Sequence, residues 1–146
     1  LYNIFMRVFA TQTFLRKEIS SPMTAKRRVL LVEDNISNQK VTMAMLKRLG
    51  YEADLAANGV EALKTIQKHD YEIVLMDLRM PEINGFEATK AIRERWPDKK
   101  TKIIAITAFA LQGDKERCLA AGMDDYISKP VKMNELGKLL AKHIVY

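Results

Sequence analysis

The chain is short of cysteine, of histidine and of long apolar runs, and each shortage excludes something. One cysteine, Cys118, rules out an internal disulfide and agrees with a reducing cytoplasm, where the protein is expected to work. The pattern around it, 115–121, is helical, so a packed thiol is expected and not a reactive one. No apolar run approaches the roughly 18 residues of a membrane span, because Arg7 interrupts the most apolar stretch. The first residues carry no basic region ahead of an apolar segment, so a secretory signal is not expected. Two histidines, His69 and His143, are read as surface residues at helix ends. The single tryptophan, Trp96, precedes Pro97 and reads as packing at a helix end, and the eight methionines are scattered through apolar positions as core.

What is present is the composition of one globular domain: 146 residues, 48% hydrophobic and 29% charged. The net charge of +6 could point to nucleic acid, but its location argues otherwise. Six of the 24 Lys and Arg, against one of the 18 Asp and Glu, lie within 1–28, which leaves the remainder close to neutral. A near-neutral domain behind a basic leader is no electrostatic footprint for DNA, and no direct nucleic-acid contact is expected. The last expected helix also runs to the end of the sequence as given, leaving no room there for a DNA-binding output domain.

From Arg28 onward, strand-like and helix-like segments alternate five times. Strands are expected over 29–32, 52–56, 73–76, 103–107 and 126–128, and helices over 60–68, 85–95, 111–121 and 132–143. A further helix follows Asn35 and Ser37, with Val41, Met45 and Leu49 at helical spacing and Gly50 placed to stop it. Alternation of this kind predicts an α/β fold: a five-stranded parallel sheet with helices on both faces. The domain is set at 26–146. Residues 1–25 fall outside the pattern; their apolar positions are loosely helical, Ser20, Ser21 and Pro22 break them, and they read as a leader or linker, with Met23 available as an initiator.

Four islands carry the chemistry. Val29-Leu30-Leu31-Val32-Glu33-Asp34, Ile73-Val74-Leu75-Met76-Asp77, Ile103-Ile104-Ala105-Ile106-Thr107 and Tyr126-Ile127-Ser128-Lys129-Pro130 are each an apolar run of strand length broken by a reactive or charge-binding residue. Ligands of open parallel sheets bind outside the carboxyl ends of the strands, so the four islands should converge on one rim. An acid pair, a lone Asp, a hydroxyl and a Lys then describe a Mg-assisted phosphoryl-acceptor site. An acid pair alone would equally suit a helix N-terminus, where the dipole favours carboxylates.

Taken in order, Val-Glu-Asp-Asn, Leu-Met-Asp-Leu-Arg-Met-Pro with the following Gly85, Ile-Thr-Ala, and Gly-Met-Asp-Asp-Tyr-Ile-Ser-Lys-Pro resemble the signature segments of response-regulator receiver domains, which have a flavodoxin-like (βα)5 fold. Intervals of about 43, 30 and 22 residues between Asp34, Asp77, Thr107 and Lys129 leave room for a helix between strands. Asn35, Asn38-Gln39-Lys40-Val41 and Gly122-Met123-Asp124-Asp125-Tyr126 look most like receivers of hybrid histidine kinases, so the sequence is read as either a free-standing regulator or a receiver from a hybrid kinase. The resemblance implies Asp77 as phosphoacceptor in a two-component phosphorelay. It further implies Mg2+ or Mn2+ held by the carboxylates of Asp34 and Asp77, by the backbone carbonyl of Arg79 and, through water, by Glu33. Lys129 would sit beside the phosphoryl oxygens, with a cis peptide to Pro130. Thr107 would donate its hydroxyl to the phosphoryl group, and Tyr126 would be the aromatic that moves with it. Arg79 and Phe109 occupy positions where receivers vary and where side chains modulate acyl-phosphate lifetime.

Neither His69 nor His143 lies in a histidine-kinase box, and no Gly-rich ATP segment accompanies them. The donor is therefore expected on a partner, a histidine kinase or histidine phosphotransfer domain, and the output on a downstream protein or a second copy. As an isolated domain the chain is not expected to be an enzyme beyond its own phosphorylation and dephosphorylation. Two other classes fit less well. A phosphatase of the haloacid-dehalogenase type wants an acid two residues after its nucleophile, where this chain has Arg79. A flavodoxin-like FMN carrier wants a Ser/Thr/Gly-rich loop after the first strand, where this chain has Glu33-Asp34-Asn35.

Overall fold

The computed structural model of the chain describes residues 28–108, 113 and 115–144. The leader 1–25 and Phe109 lie outside the described residues, as do 111 and 112, where the sequence pattern starts the fourth helix. Five strands, β1 (Arg28–Val32), β2 (Glu52–Ala56), β3 (Ile73–Asp77), β4 (Lys102–Thr107) and β5 (Asp125–Ser128), alternate with five helices, α1 (Ile36–Arg48), α2 (Gly59–Lys68), α3 (Gly85–Arg95), α4 (Lys115–Ala121) and α5 (Met133–His143). The strands form one parallel sheet in the order β2-β1-β3-β4-β5. The expected α/β architecture is the observed one.

Side chains of a strand point alternately to its two faces, and β3 shows what that does here. Val74 and Met76 pack into one core with Ala62 and Ile66 of α2, Ala88 and Ile92 of α3 and Cys118 of α4. Ile73 and Leu75 pack into the other with Leu46 of α1 and Leu136 and Leu140 of α5. A strand buried on both faces must be apolar throughout, which is why 73–76 reads as a continuous run. Each fully buried Leu or Ile contributes roughly 1.5–3 kcal/mol. Cys118 is buried, as expected, and Trp96 packs at the end of α3.

Three of the helices start where asparagines cap them. Asn35, Asn58 and Asn84 each accept a hydrogen bond from a backbone N–H three residues on, and Glu87 reaches back to the Asn84 N–H to complete a capping box. At the end of α1, Gly50 (φ 89°) donates to the Lys47 carbonyl and Tyr51 to that of Leu46, closing a Schellman motif.

Of the apolar residues at helical spacing in α1, Met45 and Leu49 pack partly buried against the core, whereas Val41 is 53% exposed; Thr42 and Leu46 are the buried residues of this helix. One expectation is corrected: His143 ends α5, but it is not a solvated surface residue. Its Nε2 lies 2.9 Å from Asp125 Oδ2, and its side chain is 12% exposed. His69 is exposed, as read from the sequence.

Below the sheet, at its amino-terminal edge, Arg93 of α3 ties three segments together. Its guanidinium donates to the Gly122 carbonyl (3.0 Å), the Thr101 carbonyl (2.9 Å) and the Asp124 carboxylate (2.8 Å). Asp124 in turn accepts the Ile103 N–H. Strands β4 and β5 therefore begin in fixed register.

Candidate functional site

At the opposite rim the strands deliver the residues the sequence singled out. β1 ends on Val32, so Glu33 and Asp34 emerge at the carboxyl end of that strand; β3 ends on Asp77 beside it. Glu33 and Asp77 are each only 2% exposed, whereas Asp34 is exposed. One carboxylate oxygen from each of the three lies within 4.8 Å of the others. Lys129, just past β5, brings its Nζ to 3.2 Å from Asp77 Oδ1 and 3.6 Å from Glu33 Oε2. The Lys129–Pro130 peptide is cis, as expected.

Backbone groups hold this cluster in place. Asp77 Oδ1 also accepts the Arg79 N–H at 3.2 Å, while the Arg79 side chain is exposed. Glu33 Oε1 accepts the Asn35 N–H at 3.1 Å. The Lys129 N–H donates to the Thr107 carbonyl at 2.8 Å, joining the ends of β4 and β5 where Thr107 pairs with Ser128. Thr107 is buried, one step along the sheet from the Ile106–Asp77 pair. Behind the strand end, a Cβ on Gly85 would stand 2.5 Å from the Asp77 carbonyl oxygen, so only glycine admits this close return of the chain.

Tyr126 is not brought onto the carboxylates. It pairs with Ala105, leans half-buried against the core and has the Lys115 ammonium 5.9 Å from its ring centroid. Two residues that the sequence pattern quoted without a role also belong here: Asn35, as above, and Gln39, whose Nε2 donates to the Glu33 carbonyl at 2.7 Å. A Gln six residues after the first acid and in the first turn of the following helix was the available signal.

The electrostatics call for a cation. Burial pushes the Glu33 carboxyl above the usual carboxylate range; the Asn35 N–H works against that, Asp77 adds to it, and Lys129 opposes it. Three carboxylates face one ammonium, and all the donors are hard oxygens. Such a set fits a hard divalent ion such as Mg2+ or Mn2+ and offers nothing to a soft metal.

The comparisons agree with the geometry. The family model of the response regulator receiver domain matches residues 29–141, and the chain belongs to that family. Hybrid signal transduction histidine kinase B of Dictyostelium discoideum is 43% identical over 129 residues, covering 80% of this chain and 7% of the kinase. Among solved structures, the receiver domain of sensor histidine kinase PA1611 from Pseudomonas aeruginosa PAO1, with a magnesium ion coordinated in its active-site cleft, is 46% identical. It covers 82% of this chain and 98% of its own, with a TM-score of 0.75. The receiver domain of the response regulator Ssk1 of Saccharomyces cerevisiae, crystallised with the histidine phosphotransfer protein Ypd1, is 32% identical with a TM-score of 0.77, over 82% of this chain and 89% of that one. The chain spans less than a fifth of the length of the first histidine kinases it matches. It is thus a receiver domain of two-component signalling. No helix among the described residues is long and apolar enough to cross a membrane.

Proposed function

We propose that Asp77 is the phosphoacceptor and that the chain takes a phosphoryl group from a phosphohistidine on a partner histidine kinase or histidine phosphotransfer domain. The observation that carries this is a buried carboxylate at the end of the central strand, 3.2 Å from a lysine ammonium and beside two further acids. A carboxylate so placed can attack phosphorus, forming the P–O bond as the P–N bond of the donor breaks, and hold the group as an acyl phosphate. Phosphoryl transfer needs mainly positioning and neutralisation of charge on the equatorial oxygens. Lys129 supplies one positive charge from the β5 side. Asp34, Asp77 and the Arg79 carbonyl would hold Mg2+ or Mn2+, with Glu33 acting through water, and the bound ion would neutralise phosphoryl oxygens during transfer.

Thr107, at the neighbouring strand end, would donate its hydroxyl to the phosphorylated Asp77. That attraction would bias the half-buried Tyr126 and the surface formed by α4, β5 and α5 toward a second arrangement, which a downstream protein or a second copy then recognises. Residues 26–146 form the domain in this reading, 1–25 a leader, and the domain works in the cytoplasm with no catalytic turnover beyond its own phosphorylation and dephosphorylation. High identity to receivers of hybrid kinases favours a place within such a kinase. Labelling decides the core of it: a small phosphodonor with Mg2+ should add one base-labile phosphoryl group to the wild type and none to Asp77→Asn, and equal labelling of the variant would refute the assignment.

A further inference from the structure

The sequence pattern Asn35, Asn38-Gln39 is used by nothing in the mechanism above, although the structure brings Asn35 and Gln39 to the site. We infer that Gln39 is a positioning residue for the cation site: its carboxamide fixes the Glu33–Asp34 peptide and thereby aims the Asp34 carboxylate at the metal position. The inference rests on the proposed reading of the site.

Three observations carry it. The Gln39 Nε2 to Glu33 carbonyl distance is 2.7 Å, short for an N–H···O bond, and the contact is partly buried. Helix side chains lean toward the helix amino terminus, so a residue at 39 in α1 points back over the chain that enters the helix. Glu33 is then held at three points: its N–H donates to the Ala56 carbonyl at 3.1 Å, its carbonyl accepts from Gln39, and its carboxylate accepts the Asn35 N–H. Asp34 lies between the Gln39 and Asn35 anchors. Its own carboxylate is exposed and, among the described residues, accepts no hydrogen bond. Nothing but the peptide plane set by its neighbours therefore directs it toward Glu33 and Asp77. The Glu33 N–H still pairs with Ala56 of β2, but among the described residues its carbonyl accepts from Gln39 and from no sheet partner.

Loss of such an outer partner typically lowers metal affinity 10- to 100-fold. Two variants separate positioning from packing and from charge. Gln39→Leu keeps the bulk and removes the donor. Gln39→Glu keeps the shape, removes the donor and adds a negative charge, which by Coulomb attraction alone would strengthen cation binding. Mg2+ affinity by calorimetry should fall at least about tenfold in both, with metal-free melting temperatures close to wild type and with Lys40→Ala, an exposed neighbour on the same helix, unaffected. The reference is Asp34→Ala. If wild type binds Mg2+ and Asp34→Ala weakens it while both Gln39 variants bind as wild type, the positioning role is overturned and the site reading stands. A tighter Gln39→Glu would mean that charge governs and would also overturn it. A wild type that binds no Mg2+ overturns the site reading and this inference with it.

Discussion

Replacing Gly85 by alanine tests the tightest of the glycine positions. The added Cβ would stand 2.5 Å from the Asp77 carbonyl oxygen and 2.9 Å from the Leu78 Cα, both backbone atoms that no rotamer change can move. The return of the chain is further tied by the Gly85 N–H donating to the Leu78 carbonyl at 3.1 Å. Relief must come from shifting the end of β3 against α3, and overpacking of this kind costs about 1–3 kcal/mol. The gain in helix propensity offsets only about 0.5–1 kcal/mol of that. A net loss of about 1–2 kcal/mol should lower the urea midpoint by roughly 1 M for a slope of about 1–2 kcal/mol per M. The shift also falls on Asp77 itself, so Mg2+ affinity should drop with stability. Gly50→Ala is the control. Its φ of 89° is unfavourable for alanine by about 1–2 kcal/mol, but the Cβ would meet nothing within 4 Å, and the position is remote from the carboxylates. It should lose comparable stability and keep its Mg2+ affinity. Gly85→Ala with a wild-type urea midpoint, or an equal loss of Mg2+ affinity in Gly50→Ala, would refute the steric argument.

Glu33 has its carboxyl raised above the ordinary value of 4.5, so between that value and its folded one the native state holds a proton that the unfolded chain has lost. Its contribution to stability therefore falls as pH rises through this window; Glu33→Gln, unfolded by urea in EDTA, should gain on wild type over the same window and stay level above it. Arg93→Met removes three donors at once and should lose about 2–3 kcal/mol in urea unfolding with Mg2+ affinity intact; a loss under about 0.5 kcal/mol would show that water replaces the guanidinium. Thr107→Ala should still accept phosphate on Asp77 yet lose most of the hydrogen-exchange change that beryllofluoride produces across 115–130 in the wild type, and an undiminished change would sink the coupling.

The parts of the fold legible in the sequence are those whose cause is local. Strands buried on both faces have to be continuous apolar runs, so β1, β3 and β4 stood out, and the polar residue ending each run marked the rim. Gly85 and Lys129-Pro130 were legible through the resemblance to receiver domains. What stayed hidden depends on distant partners. Arg93 bonds to carbonyls 8 and 29 residues away, and a carbonyl is present at every position, so no residue type announces it. His143 has its partner 18 residues back, across the start of β5. That Thr42 is buried and Val41 exposed in α1 is not decided by residue type, since both side chains carry methyls that can pack.

The same rim would serve as a switch in the proposed reading, and it is not a strong point of the fold. Glu33 and Asp77 are nearly dry, and like charges with oxygens under 4.8 Å apart repel by something on the order of 3 kcal/mol at an effective dielectric of about 20. Among the described residues a single ammonium, itself 27% exposed, stands against them. Apolar residues at these positions would relieve the repulsion without disturbing either core, since both cores close beneath the rim on Val32, Met76 and Ile106. In the proposed reading this charge would attract a divalent cation, and the cation together with Lys129 would then attract the phosphoryl oxygens; without differential affinity no ligand shifts a conformational equilibrium. The cores below, tied at their far edge by Arg93, are what keep that local repulsion from unfolding the domain.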